Sequence, residues 1–278
     1  MKVVQHKGAG EFLSRAGPWL AENEAENNLI LGISSHLDAH PEQYAADPYL
    51  ITLEHNGGPT AAALMTPPHE LIVTRAPADA MEALAGYLRK IDAPVSAVVG
   101  LVPEVKTFAG CWTEKTGTAC ERGMSQRVYR CNRVTLSDYS PGRLRLADNA
   151  DAPLLIRWRR DYRHETGLAQ EDEDHRQAIC HRIDQEHLYV WDHDGPVSMA
   201  CWGGQSLRGA RVFLVYTPSN RRKKGYASSC VAALTAELLD SGRPCCYLYA
   251  DLANPTSNDI YQKIGYRRVC DSQVWRFV

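Results

Sequence analysis

The chain has 278 residues, a length that corresponds to one large domain or to two of ordinary size. Its hydrophobic content of 44% and charged content of 23% are close to those of ordinary globular proteins and exclude a disordered chain. The net charge of −2 gives no overall field that would attract nucleic acid or an anionic membrane, so neither is predicted as a partner.

The sequence shows no signal for a membrane or for secretion. Its longest apolar stretch, 95–102, falls far short of the roughly 18 residues of a membrane span. Residues 1–7 become polar too early for a secretory signal peptide. Nine cysteines without a Cys-x-x-Cys pair indicate reduced thiols that pack as small hydrophobic side chains. Together these features predict a cytoplasmic protein.

The two halves of the chain repeat one order of predicted elements: a hairpin, a strand, a helix, an apolar strand and a short helix. In the first half these elements begin with a hairpin over 49–65, followed by 70–75, 81–91, 95–102 and the residues after 102. In the second half they begin with a hairpin over 188–202, followed by 211–217, 231–239, 245–250 and the residues after 254. Helices alternating with strands predict an α/β (α+β) fold.

A turn-rich stretch over 135–142 separates the two patterns, so the predicted domains are 1–140 and 141–278. Helical sequence precedes each hairpin. In the second half, Asp148, Asn149 or Asp151 is expected to cap a helix that carries Pro153 in its first turn.

The segment 212–227 carries the strongest chemical signal. A strand is followed by the basic run Arg221–Lys224, and Gly225 then opens an apolar helix. The first backbone amides of a helix have no partner within it, and the helix dipole makes that end positive. Glycine also permits close approach of a ligand to the backbone. This arrangement favours a cofactor with a pyrophosphate; a basic surface turn is the alternative.

A second informative segment covers 250–266. A strand end, a capped helix start and a short helix ended by Gly265 are predicted there. Asn258 and Tyr261 are three residues apart and therefore share one face of that helix.

Together and in this order, the two segments resemble the GNAT superfamily of acetyl-CoA-dependent N-acyltransferases, over about Arg143 to Phe277. Residues 222–227 match the pyrophosphate loop of that family, Gln/Arg-x-x-Gly-x-Gly/Ala. The resemblance implies two GNAT-like domains, each with a mixed, mostly antiparallel sheet flanked by helices, and acetyl-CoA as co-substrate. The cofactor contacts that it implies are Val215, Tyr216, Thr217, Arg222, Lys223, Lys224, Gly225, Tyr226, Ala227, Ser228, Asn254, Asn258 and Tyr261.

The resemblance also implies direct transfer of the acetyl group to a primary amine in a ternary complex. A backbone amide of the splayed strand around Val215 would hold the oxyanion, Tyr261 would protonate the departing CoA thiolate, and Asn254 would orient the pantetheine arm or a water molecule. The alternatives are that Tyr261 only packs on the sheet and that Asn254 only caps a helix. Glu165 is the candidate general base, with its neighbours 162 and 164 or a water chain as alternatives.

The first half departs from the family pattern. After Pro77 its helix begins with Ala78-Asp79, which has neither the glycine nor the basic residues, so CoA is not expected to bind there. This half is interpreted as a degenerate GNAT-like repeat, typical of two-domain members, that serves as a scaffold or shapes the substrate site.

Several points stay open from the sequence. A catalytically weak CoA-binding sensor and a transferase for longer acyl-CoA are the alternative functions, and the amine acceptor is unspecified, either a small molecule or a peptide. The acidic run 171–174 is interpreted as a solvated face, with attraction of a cationic amine as the alternative. A monomer or a homodimer is expected. No metal is predicted, because His175, His181 and His187 are six residues apart and face different directions on a helix.

Overall fold

The computed structural model describes residues 1–44, 46–167, 175–204 and 208–278. Twelve strands and eight α-helices are found in these ranges. The strands are β1 (Lys2–Gln5), β2 (Tyr49–His55), β3 (Gly58–Met65), β4 (Leu71–Val73), β5 (Ala97–Leu101), β6 (Cys120–Cys131), β7 (Arg143–Leu146), β8 (Leu188–Asp192), β9 (Pro196–Gly203), β10 (Ala210–Tyr216), β11 (Cys246–Asp251) and β12 (Arg267–Phe277). The helices are α1 (Ala9–Glu22), α2 (Glu24–Ala39), α3 (Ala78–Lys90), α4 (Val102–Thr116), α5 (Ala152–Glu165), α6 (His175–Asp184), α7 (Tyr226–Asp240) and α8 (Pro255–Ile264).

All twelve strands belong to one continuous sheet, in the order β1-β2-β3-β4-β5-β12-β6-β11-β10-β9-β8-β7. Only the pairs β4–β5 and β10–β11 are parallel. The predicted class, an α/β (α+β) fold with a mostly antiparallel mixed sheet, is confirmed. The predicted repeats correspond to β2-β3-β4-α3-β5-α4 in the first half and to β8-β9-β10-α7-β11-α8 in the second.

The final strand of each half crosses to the other half. β12 pairs with β5, and β6 pairs with β11. β6 and β12 also pair with each other in antiparallel fashion, which joins the two halves into one sheet. Because of this exchange, a cut near residue 140 would leave β5 and β11 each without one neighbouring strand. The domain boundary itself stays a prediction.

Buried side chains form four hydrophobic clusters between the sheet and its helices. In the cluster beneath α7, Val231, Leu234 and Leu238 lie at helical spacing and pack against the strands of the second half. Each such side chain contributes roughly 1.5–3 kcal/mol when it is fully buried. The clusters therefore hold the strand ends around the site in fixed positions.

The start of α5 differs in part from the prediction. Asp151 is the N-cap residue and a proline follows in the first turn, as expected, but the Asp151 side chain does not cap the helix. Its carboxylate instead accepts hydrogen bonds from the Arg145 guanidinium at 2.6 and 3.0 Å. Arg145 also binds Asp192 at 2.6 Å, so the helix start is tied to the β7–β8 edge of the sheet.

All nine cysteines are free thiols. Cys131, Cys201, Cys230, Cys245 and Cys246 are buried, as expected for cysteines that act as small hydrophobic side chains. Within the described ranges, no helix is both long and apolar enough to cross a membrane.

Candidate functional site

A cleft opens between β10 and β11 in the second half. The two strands pair in parallel only at Ala210 with Cys246 and at Arg211 with Tyr247. Beyond these pairs β11 continues alongside β6 to its last residue, whereas β10 continues alongside β9. The facing edges of β10 and β11 therefore separate and leave backbone groups of β10 without a neighbouring strand on that side.

A β-bulge in β10 lies at this opening. The register with β9 shifts between Phe213 and Tyr216, and Leu214 has a φ of +51°. A bulge bends its strand and interrupts the ladder locally. Val215 lies within the bulge, so the stretch of strand that was predicted to hold the oxyanion is irregular.

The N-terminus of α7 lies directly after this strand and its loop. Gly225 is the N-cap residue, with a φ of +77° and no side chain to cap the helix. None of the hydrogen bonds found within the described residues uses the amides of Tyr226, Ala227 or Ser228 as a donor. The exposed side chains of residues 221–224 add four positive charges beside these amides. Such an end binds anions, in particular phosphate oxygens.

Glycine is required at position 225 for a second reason. A Cβ atom added there would lie 2.5 Å from Ser140 Oγ. Ser140 Oγ donates a 2.7 Å hydrogen bond to the Lys224 carbonyl, and its amide donates to Ser229 Oγ at 2.8 Å. In the sequence, residue 140 marks only the predicted domain boundary. No local pattern relates it to a loop more than eighty residues later.

Arg222 connects the loop to α5. Its Nε donates to the Thr217 carbonyl at 2.9 Å, and its Nη2 donates to Glu165 Oε2 at 2.5 Å. The Tyr216 hydroxyl donates to Glu165 Oε1 at 3.2 Å. Burial and the nearby Glu165 carboxylate raise the pKa of Tyr216 to about 12. Glu165, the candidate base, thus accepts a hydrogen bond on each carboxylate oxygen and lies beside the predicted pyrophosphate loop.

The start of α8 is built by two asparagines. Asn254 is the N-cap residue, and its Oδ1 accepts from the Ser257 amide at 3.1 Å. Asn258 Nδ2 donates to the carbonyls of Asp251 and Asn254 at 2.7 and 2.8 Å, and its Oδ1 accepts from the Tyr129 hydroxyl at 2.9 Å. The capping role considered for Asn254 is therefore present. Asn258 ties α8 to the end of β11 and to the exchanged strand β6.

Tyr261 is 8% exposed and packs against two other tyrosine rings. Its ring centroid lies 6.4 Å from that of Tyr129 and 6.1 Å from that of Tyr266. No hydrogen bond between described residues involves its hydroxyl, and burial raises its pKa well above the usual range. The phenol is consequently neutral at physiological pH, with its proton not donated to any described group.

The first half does not open in the same way. A Cβ atom added at Gly100 of β5 would collide with the carbonyl oxygen of Val73, the last residue of β4. The two strands therefore stay in close contact at the position where β10 and β11 have separated.

Carboxylates occupy the first-half counterpart of the basic loop. Arg75, which follows β4, forms a 2.9 Å ion pair with Glu26. The buried carboxylate of Glu104 accepts from the Ala76 amide at 3.3 Å. Negative charge at this place disfavours a pyrophosphate. The acidic run 171–174 lies outside the described residues.

Comparisons with known proteins concern the fold of the chain. An FR47-like family model matches residues 192–276. No curated protein sequence matches the chain at a significant level. A GNAT-family acetyltransferase from Colwellia psychrerythraea is 11% identical with a TM-score of 0.58, covering 100% of this chain and 99% of that one. A GCN5-related N-acetyltransferase from Sphaerobacter thermophilus is 11% identical with a TM-score of 0.60, covering 99% and 95%.

A tandem GNAT protein from the clavulanic acid biosynthesis pathway is 10% identical with a TM-score of 0.56, covering 100% of this chain and 98% of that one. At these identities the likeness concerns the fold. The fold is that of GNAT acyltransferases, as the sequence resemblance predicted. Over its whole length the chain is similar in fold to this tandem GNAT protein.

Proposed function

We propose that the protein is an N-acyltransferase that moves an acetyl group from acetyl-CoA to a primary amine by direct attack in a ternary complex. The observation that carries this proposal is the uncapped, basic N-terminus of α7 immediately beside the open edge of β10. The rate of such a transfer increases when both reactants are held together, which lowers the activation free energy by about 7–11 kcal/mol in well-oriented cases.

The residues present suit the phosphates of CoA. The amides of Tyr226, Ala227 and Ser228 would bind the pyrophosphate, with Arg222, Lys223 and Lys224 adding charge. The unpaired edge of β10 from Val215 to Thr217 would bind the pantetheine amides, and Asn254 and Asn258 would stand beside that arm. When bound, acetyl-CoA supplies a thioester carbonyl that an amine can attack.

Tyr261 is proposed to hold the proton that the departing sulfur requires. Its hydroxyl carries a proton at physiological pH, and no described residue accepts a hydrogen bond from it. Glu165 is proposed to act on the incoming amine or, through its contact with Arg222, on the loop that binds CoA. The first half is proposed to act as a scaffold that does not itself bind CoA.

The proposal is tested by calorimetric titration with acetyl-CoA. Gly225→Ala should weaken binding at least tenfold, because the added methyl group meets Ser140 Oγ and shifts the loop. Gly242→Ala is the matched control: Gly242 follows the other end of α7, has a φ of +95° and has no neighbour within 4 Å of an added Cβ. Both variants carry the left-handed strain of about 1–2 kcal/mol. Equal affinity in the two variants would place the cofactor elsewhere.

A thiol-release screen of amines with acetyl-CoA then tests the activity. Release that depends on both the amine and Tyr261 supports the transferase. Tight binding of acetyl-CoA without release from any amine would favour the sensor alternative, and release only from longer acyl-CoA would identify a different acyl donor.

A further inference from the structure

Two arginines share one aromatic ring on the face of the sheet opposite α7. Arg211 alternates along β10 with Ala210, which belongs to the core beneath α7, so its side chain lies on the other face. The guanidinium carbon of Arg211 is 5.7 Å from the centroid of Phe213, and that of Arg182 on α6 is 4.7 Å from the same centroid. Stacking on one ring holds both guanidinium groups in place.

Neither arginine has an anionic partner among the described residues. No ion pair or hydrogen bond found in these ranges involves the guanidinium group of Arg211 or of Arg182, and Arg182 Nε is buried without an acceptor. Burial and the neighbouring Arg182 charge both lower the pKa of Arg211. Two partly buried positive charges that repel each other are unfavourable unless an anion lies between or beside them.

This pair lies at the closed end of the reaction cleft. Arg211 is the last residue of β10 that pairs with β11 before the strands separate. On the same face, the Tyr249 hydroxyl of β11 accepts a 3.3 Å hydrogen bond from Asn28 Nδ2 of α2. Helix α2 of the first half therefore covers this face of the second half.

Two further contacts fix α2 in this position. Its residue Glu24 accepts hydrogen bonds from the amides of Arg208 and Gly209 at 2.9 and 3.0 Å. A Cβ atom added at Gly32 of α2 would lie 3.0 Å from the Gly204 carbonyl oxygen. The arginine pair thus lies beside α2, on α6 and on the paired part of β10, on the sheet face opposite α7.

We infer that Arg182 and Arg211 bind a carboxylate of the acceptor, so that the acceptor is an amino acid or another amine bearing a carboxylate. This inference rests on the proposed function, since it identifies the substrate class of the same site. An acceptor that enters on the sheet face opposite α7 meets these guanidinium groups at the end of the cleft where β10 and β11 still pair. A carboxylate matches the planar fork of arginine and neutralises the repulsion between the two charges.

Acceptor pairs that differ only in the carboxylate test this inference. The rates for glycine and methylamine, and for L-alanine and ethylamine, are compared at saturating acetyl-CoA. The wild-type protein should favour the carboxylated member in kcat/KM by about 10- to 100-fold, the usual effect of hydrogen bonds to a charged group. The rates for the longer acceptors β-alanine and 4-aminobutyrate show which distance between amine and carboxylate the site accepts.

Arg211→Met and Arg182→Met should each remove most of this preference while leaving the plain amines and the KM for acetyl-CoA unchanged. Arg243→Met is the matched control, because Arg243 also stacks on an aromatic ring, Trp202 at 4.5 Å, but donates to Ser241 Oγ outside the site. A wild-type protein without the preference, or arginine variants that lose both members of a pair equally, would overturn the inference. If one arginine variant does not fold, the other decides the question.

A binding measurement separates this inference from the proposed function. Binding of N-acetylglycine and of N-methylacetamide, which lacks the carboxylate, is measured by calorimetry without turnover. Binding of N-acetylglycine but not of N-methylacetamide supports the carboxylate site even if no amine is acetylated, provided that Arg211→Met abolishes this binding. Turnover of plain amines without binding of N-acetylglycine would support the transferase and refute the carboxylate site. Failure of both ligands to bind would also refute the carboxylate site.

Discussion

Replacing Tyr261 with phenylalanine separates its chemical role from its packing role. The ring contacts with Tyr129 and Tyr266 are kept, and no hydrogen bond to a described residue is lost. The free energy of unfolding should therefore change by less than about 1 kcal/mol, the typical net value of one hydrogen bond. If the hydroxyl protonates the CoA thiolate, kcat should fall by about 10²–10⁴-fold. At 1.36 kcal/mol per tenfold, this loss corresponds to about 3–5 kcal/mol of transition-state stabilisation.

Tyr266→Phe is the matched control in the same aromatic cluster. The Tyr266 hydroxyl shares a 2.7 Å hydrogen bond with Thr235 Oγ, and both residues are buried. Its removal leaves that oxygen unpaired and should cost about 1–3 kcal/mol of stability, with kcat unchanged. The two variants should thus separate, one losing turnover and the other losing stability.

The assay is single-turnover acetyl transfer together with urea unfolding of both variants. Single turnover removes product release from the measured rate. A Tyr261→Phe variant with the wild-type rate of chemistry would show that the residue only packs and that another group protonates the thiolate.

Three further expectations follow from the structure. If the Glu165 carboxylate is the general base, Glu165→Gln should lower kcat about 10²-fold and leave the Kd for acetyl-CoA unchanged. A changed Kd with a normal kcat would mean that Glu165 acts by positioning Arg222. Calorimetry should give one acetyl-CoA site per chain, and a second site would contradict the role assigned to the carboxylates near Ala76. Burial raises the pKa of Cys230 and of Cys246 to about 12. Because the unfolded thiols ionise near pH 8.5, the free energy of unfolding should be at its full value below that pH and should decrease as the pH rises toward 12. The decrease is measured as a falling urea midpoint. A midpoint that stays constant to pH 10 would contradict this last expectation.

Much of the fold follows from local sequence. Alternating apolar residues define the hairpins, and Gly225 with its basic run marks the start of α7, because turn chemistry and helix capping depend on neighbours in the chain. The order of elements in each half was therefore predictable. The family resemblance could also be recognised from the sequence, because it is based on the loop and on the Asn258–Tyr261 spacing. The sequence also distinguished the halves, since Asp79 stands where a phosphate-binding loop would need glycine and positive charge.

The tertiary structure alone decided how the halves are combined. The exchange of β6 and β12 is a choice between strand partners far apart in the chain, and the periodicity of a strand specifies which face is buried rather than which strand lies beside it. For the same reason, the position of Ser140 on the predicted phosphate-binding loop and the stacking of Arg182 on Phe213 have no local signature. These contacts depend on long-range packing, which brings residues from both halves of the chain around one cleft.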